Sequence, residues 1–451
     1  MRLLLITALL AAAASAQQAG TLEPENHPKL TWKRCTAPGA CATVQGGVTL
    51  DADFRWLHVV DGFSDCYTGN DWRRDQCDTA ESCAERCALE GADYRGQFGI
   101  TTNGSAIRQR LTVESQFGWN ENSRVYLMKE GGERYQTFTP LGNEIAFDVD
   151  VSNVECSVNS ALHFLGMDAD GGMERFEGNK AGAKYGTGYC DATCTRFQRF
   201  VGGKANIEGW TPSPYEPTGG AGDWGACCPQ FDVWNSNSQA FQTSSKLCNY
   251  GRQSYHICAA DQCDFYERFP MCDRDGCDYN PYRVGARDFY GEGKTVDTTK
   301  KFTLPPLRVV TQFAEDKISK FFVQDGVRID APSPTVPGLP DTNGITAEYC
   351  TEKAYEFQER DLFNQMGGFH YQNEFLRRPL VLALAIQYDY YALNLWLDST
   401  YPIDQAGYPG AERGPCIYNP GVPSTPEETR SKAWVEWSNI RFGPIGSTVD
   451  L

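Results

Sequence analysis

The chain has 451 residues, 41% of them hydrophobic, so it can bury a large core and is not a disordered polymer. Its 58 acidic and 41 basic residues leave a formal charge of −17 at pH 7, which argues against nucleic acid and anionic membranes as partners and suits a neutral polymer. Twelve per cent aromatics with 44 glycines and 24 prolines predict many strands joined by long, turn-rich loops.

Taken in chain order, residues 1–16 come first. Arg2, an apolar run from Leu3 and a small-residue exit at Ala14-Ser15-Ala16 form the pattern of a secretory signal peptide cleaved before Gln17. The run is too short for a membrane anchor, and no later segment approaches 18 continuous apolar residues. The mature protein is therefore expected outside the cell. Asp78-Thr79-Ala80-Glu81 predicts a capping box and a helix that closes at Gly91, with Cys83 and Cys87 one turn apart. Asn103-Gly104-Ser105 is a glycosylation sequon. In Glu144–Ser152, Ile145, Phe147, Val149 and Val151 alternate with polar or small residues, predicting a strand with one buried and one wet face. Ile318–Val323 and Val327–Ile329 flank Asp325-Gly326, a hairpin signal. Leu380–Ile386 is continuously apolar and predicts a strand buried on both faces, and Ala433–Phe442 is a further, aromatic-rich strand. Helix signals are few. No repeat, linker or appended module interrupts the sequence, so residues 17–451 are expected to form one domain, acting as a monomer.

Eighteen cysteines in an exported chain predict disulfides. Cys190, Cys194, Cys227 and Cys228 offer a rival zinc site, but exported thiols oxidise and no histidine lies at ligand spacing. Neither a metal nor a cofactor is expected.

Several strings, in order, resemble the cellulases of glycoside hydrolase family 7: AFDVDVS (146–152), MDADGG (167–172), AGAKYGTGYCD (181–191), DGCDYNPYR (275–283), LWLDSTYP (395–402) and RFGPIGST (441–448). The similarity spans essentially the whole mature chain. It implies an all-β fold, a curved antiparallel β-sandwich of the jelly-roll, concanavalin-like kind, whose long loops form a groove or tunnel for a β-1,4-glucan. The mature length resembles that of the tunnel-forming cellobiohydrolases. The resemblance also implies nine bridges: Cys35–Cys41, Cys66–Cys87, Cys77–Cys83, Cys156–Cys416, Cys190–Cys228, Cys194–Cys227, Cys248–Cys272, Cys258–Cys263 and Cys277–Cys350. One further family bridge is absent at both ends, near Gly20 and at Ala88.

Retaining glycosidases need two carboxyl groups about 5–5.5 Å apart, one a nucleophile and one a proton donor of raised pKa. The family supplies them from Glu-x-Asp-x-x-Glu after a Cys-Cys pair. Here Cys227-Cys228 is followed by Pro229-Gln230-Phe231-Asp232-Val233-Trp234-Asn235. The nucleophile position is Gln230, the supporting carboxylate is Asp232, and the acid/base position is Asn235. Positions i and i+2 of a strand share a face, but the member at i+5 needs an irregularity to join them. Without either glutamate, retaining hydrolysis should be lost. Three other changes accompany these: His163 replaces a family tyrosine, Lys246 a histidine and Gln387 a stacking tryptophan. His163 on its own reads as a satisfied polar residue, and Lys246 as a solvated loop charge.

The resemblance assigns glucan contacts to Trp56, Asn159, Tyr189, Asp191, Arg268, Asp275, Trp396 and Arg413, with Phe54 standing where a second tryptophan is usual. Aromatic rings stack on sugar C–H faces, and planar polar groups bind hydroxyls. The expected function is a secreted protein that binds cellulose or cello-oligosaccharides without cutting them. The alternatives are an active β-1,4-glucanase and a structural or partner-binding wall protein.

Overall fold

The computed structural model describes residues 17–249, 255–264, 267–299, 307–418 and 431–450. The expected signal peptide lies outside them. The strands that build the fold are β1 (Trp32–Ala37), β2 (Ala40–Val44), β3 (Gly46–Leu50), β4 (Ser123–Lys129), β5 (Asn143–Asn153), β6 (Val158–Leu165), β7 (Gln230–Ser236), β8 (Phe241–Lys246), β9 (Cys277–Tyr279), β10 (Arg308–Phe313), β11 (Ile318–Gln324), β12 (Val327–Asp330), β13 (Leu380–Tyr388) and β14 (Trp434–Pro444). They form two large sheets, ordered β2-β1-β14-β5-β10-β11-β12 and β9-β8-β7-β6-β13-β4-β3. Pairing within them is antiparallel except between β1 and β14. This is the expected all-β sandwich.

The core lies between the sheets. Phe147, Val149, Phe313, Phe322 and Trp437 from the first meet Leu162, Phe164, Phe231, Trp234, Leu382 and Leu384 from the second. The period-two pattern puts these side chains inward and sends their neighbours outward. Two expectations change here. In β5 the outward face is not wet: Glu144 and Asp148 are buried. Arg308 pairs with Asp148 at 2.6 Å, and Thr448 donates its N–H to Glu144 at 2.8 Å. The C-terminal segment thus covers that face with partners a local pattern cannot show. In β13 the run is buried throughout, but only Leu380, Leu382, Leu384 and Ile386 belong to the core between the sheets. Ala383 and Ala385 line a cavity on the other side.

The Asp325-Gly326 hairpin forms as expected, with Gln324 opposite Val327 and both turn residues at positive φ (54° and 76°). The first helix is shorter than expected. It runs Ala80–Arg86, capped by Thr79 with Ser82 completing the box, and it stops where Cys87–Leu89 becomes a strand. Two helices of nine or more residues carried no recognised signal, Ala347–Glu356 and Gly368–Leu376.

All nine expected disulfides are present. Cys190, Cys194, Cys227 and Cys228 form two of them, so the zinc alternative falls. Gly20 lies beside the strand that holds Ala88, and a Cβ there would collide with the Glu90 carboxylate. That carboxylate accepts from His58 Nε2 at 2.9 Å, so a polar contact occupies the place of the missing bridge.

Candidate functional site

The second sheet turns its outer face to a cavity of about 1940 Å³. Alternation fixes which side chains reach it. From β6 these are Asn159, Ala161 and His163; from β13, Ala383, Ala385 and Gln387; from β8, Gln242 and Lys246; from β4, Arg124. From β7, Gln230 and Asp232 share the face, and Asn235 joins them through a bulge. His163 pairs with Asp232 and Leu162 with Trp234, which leaves Val233 as the extra residue. Val233 and Trp234 both enter the core. This is the irregularity that the i+5 spacing required.

Asp232 is the hub of the centre and is fully buried. Its Oδ2 accepts from Asn235 Nδ2 at 2.9 Å and from Lys246 Nζ at 2.8 Å. Its Oδ1 accepts from Gln230 Nε2, and His163 Nε2 stands 3.5 Å away. Asn235 Oδ1 accepts from Asn159 Nδ2 at 2.9 Å and from His163 Nε2 at 2.8 Å. Gln230 Oε1 accepts from the Ala192 N–H at 3.3 Å. Lys246 is therefore no solvated loop charge. It ends β8 with its side chain only 13% exposed and forms an ion pair. His163 is hydrogen-bonded, and it lies in the site itself.

The electrostatics follow from this geometry. Burial alone would raise the Asp232 pKa, but the Lys246 and His163 neighbours and the Lys246 and Gln230 hydrogen bonds hold it below the usual value. Lys246 is raised: burial opposes its charge and Asp232 outweighs burial. Burial lowers His163, so its imidazole is neutral at pH 7. The centre thus has one carboxylate, ionised and hydrogen-bonded, one ammonium that neutralises it, and the side-chain amides of Gln230 and Asn235. No acidic proton is on offer at Asn235, and no free carboxylate at Gln230.

Asp191 stands beside this centre with its carboxylate also engaged. It accepts from Tyr189 OH at 2.7 Å, from the Thr193 N–H at 2.9 Å and from Thr193 Oγ1 at 2.6 Å. The Arg124 guanidinium lies 3.3 Å from the Tyr189 ring centroid. Asp273 differs. It lines the same groove, and burial pushes its carboxyl up to about 7.

At one end of the groove, Trp56 lies on His58 with centroids 4.0 Å apart, and its Nε1 donates to Asp65 at 2.6 Å. Phe54 lines the same stretch. At the other end lie Trp396, Asp275 and Arg413. Arg413 approaches Asp278 (4.0 Å) and Glu359 (3.7 Å), which are already paired with Arg283 and Lys353. Burial works against the charge on Asp278, but these cations outweigh it and hold its carboxyl well down. The structure thus gathers Trp56, Asn159, Tyr189, Asp191, Gln230, Asp232, Asn235, Asp275, Trp396 and Arg413 along one groove. Arg268 is not among the lining residues. It is exposed beside Phe269, and its carbonyl accepts from Arg360 at 2.9 Å.

Sequence reasoning missed a strap. Tyr391 OH and Ser213 Oγ are hydrogen-bonded at 2.8 Å, and the Tyr391 ring stacks on Phe197 (5.6 Å) and meets Tyr215 edge-on (5.5 Å). It ties the segment after β13 to the segment before β7. No local pattern marked these residues, because their partners are more than 170 positions away.

The sequence profile of glycosyl hydrolase family 7 matches residues 19–449. Among solved structures, the chain is similar to a cellobiohydrolase from Melanocarpus albomyces complexed with cellotetraose, at 49% identity and a TM-score of 0.91. It is similar to a cellobiohydrolase from Daphnia pulex at 37% identity and 0.91, and to an endocellulase from Humicola insolens at 33% and 0.79. Each comparison covers 96% of this chain and 100% of the other.

Proposed function

The chain belongs to glycosyl hydrolase family 7, and from that premise we propose that it holds a β-1,4-glucan without cutting it. The observation that carries this reading is the centre of the groove. Gln230 and Asn235 occupy the two positions where retaining hydrolysis needs carboxyls, and Asp232 is locked between them and Lys246. An amide is a poor nucleophile and no acid. Asp232 is ionised, so it cannot protonate a leaving oxygen, and its lone pairs are taken.

Binding is supported by what remains. Trp56 and Trp396 line the two ends, with amide and charged groups between them that can bind hydroxyls. The Melanocarpus relative was solved with cellotetraose in complex. Secretion, from residues 1–16, would place the protein where such chains occur, as a monomer with a glycan acceptor at exposed Asn103. Titration of cellohexaose in a calorimeter should give saturable binding. Absence of binding across cello-oligosaccharide lengths would favour a structural or partner-binding role instead.

One observation favours the second reading, an active glucanase. Asp273 is a groove carboxyl pushed up to about 7, within the range of a general acid. If the purified protein releases cellobiose and Asp273→Asn abolishes that release, this second reading replaces the first.

A further inference from the structure

Four buried side-chain amides on β6, β7 and β8 line the groove, and three of them are bonded at both ends within the protein. Asn159 donates from Nδ2 to Asn235 at 2.9 Å and accepts from the Ser236 N–H at 3.0 Å. Asn235 donates to Asp232 and accepts from Asn159 and His163. Gln230 donates to Asp232 and accepts from the Ala192 N–H. The fourth, Gln242, makes no side-chain hydrogen bond among the described residues, and its Oε1 is buried without a partner. The residue is only 4% exposed. A primary amide can donate two hydrogen bonds and accept two, and burying it unpaired incurs its desolvation penalty with no return. Such a group in a native structure calls for an explanation.

The strand ladder fixes where Gln242 stands. It lies directly across from Asn235, and Asn235 lies across from Ala161, so the three form a row over the second sheet. The chain turns from β7 into β8 through Asn237. The Asn237 N–H donates to the Ala240 carbonyl at 3.1 Å, and its Nδ2 donates to Asp398 at 2.6 Å. Asp398 ends the short helix Leu395–Asp398, which carries Trp396 and packs against β8. The Asn237 bond puts that helix at the Gln242 end of the strand.

We propose that Gln242 is a hydroxyl-binding residue, its amide reserved for a ring hydroxyl of the glucan unit that lies beside Trp396. This rests on the glucan-binding reading above. Nothing else in its row can make that contact. Asn235 is bonded at both ends, and Ala161 has no polar side chain. An uncharged amide offers both donor and acceptor, and a hydroxyl is both, so the pair suits a neutral sugar. Turning towards a bound sugar takes Oε1 from an unpartnered place to a hydroxyl. The bond gained is therefore not offset by one lost inside the protein. A ligand without that hydroxyl leaves the amide unpaired and is discriminated against.

The test is Gln242→Met, which keeps the length of the side chain and removes the amide, with Gln242→Leu as a second apolar variant. No protein bond is lost in either, so both should melt at or above the wild-type temperature. Calorimetry with cellohexaose should show about a tenfold loss of affinity in both. Stability and binding thus move in different directions, which a purely structural glutamine would not allow. Failure to fold, or a lower melting temperature, in both variants would show that the amide has a partner within the protein and would overturn the proposal. Unchanged affinity in a stable variant overturns it as well and leaves the glucan reading standing. A wild type that binds no cello-oligosaccharide overturns the two together.

Discussion

At the groove centre the chemistry turns on how one buried carboxylate is neutralised. Asp232 and Lys246 form a pair whose folded-state pKa values move apart, Asp232 down and Lys246 up. The Asp232 contribution to stability is present above its unfolded value near 4 and is lost as acidification passes the lower folded value. The Lys246 contribution is present below about 10.5 and is lost as pH rises through the higher folded value. Across the neutral range the pair is intact. Lys246→Met strands a buried charge and should cost about 3 kcal/mol in urea unfolding at pH 7. Adding Asp232→Asn should recover much of that, because nothing charged is then left unpaired. If the double variant is as unstable as the two singles summed, the two residues are not coupled. The grouping of Gln230, Asp232 and Asn235 was legible in the sequence, since all three follow Cys227-Cys228 within one short stretch. The fate of Lys246 was not: its partner lies 14 positions back, across a strand pair.

Among the elements, local signals served where a few adjacent residues decide the geometry. Asp325-Gly326 demands positive φ at both positions, and the hairpin follows. A Cβ on Gly326 meets nothing within 4 Å, so Gly326→Ala introduces backbone strain without a clash. It should cost about 1 kcal/mol by denaturant titration and leave cello-oligosaccharide affinity unchanged; a neutral result would mean the turn is not held at positive φ in solution. The bulge at Val233 was also foreseeable, because no regular strand brings i, i+2 and i+5 to one face. Local signals failed where distant chain decides. Helix Ala347–Glu356 starts at Thr346 without a capping box, and Lys353 is buried on it because Asp278 and Glu359 are there to pair with. The covered face of β5 likewise depends on Arg308, Asn439 and Thr448, all more than 150 positions away.

For the whole molecule, the family resemblance carried the topology and all nine bridges, neither of which composition or spacing could supply. The TM-score of 0.91 to the Melanocarpus and Daphnia cellobiohydrolases, against 0.79 to the Humicola endocellulase, agrees with the length of the chain. Charge at this scale makes a prediction about acidity. Burial pushes Asp53, Glu216 and Asp273 up to about 7 and Asp398 to about 6, with Asp51 adding to the first and Asp389 and Glu121 to the second. Their folded values exceed their unfolded ones, so their contribution is whole near pH 4 and is lost as pH rises through 6 to 7. Lys320, lowered to about 7 by burial, changes its contribution only above that range. Melting temperature should therefore fall on the order of a few degrees between pH 5 and pH 7. His163 and His27, lowered by burial, act in the opposite sense as pH rises towards 6.5, so a flat or rising profile would show that the carboxyls do not outweigh them. The central claim, a groove that holds a glucan it cannot cut, meets its most direct test in water labelled with oxygen-18. Pure protein incubated with cellohexaose should return the sugar intact and unlabelled by mass spectrometry. Labelled cellobiose or cellotetraose, lost on Asp232→Ala, would contradict it.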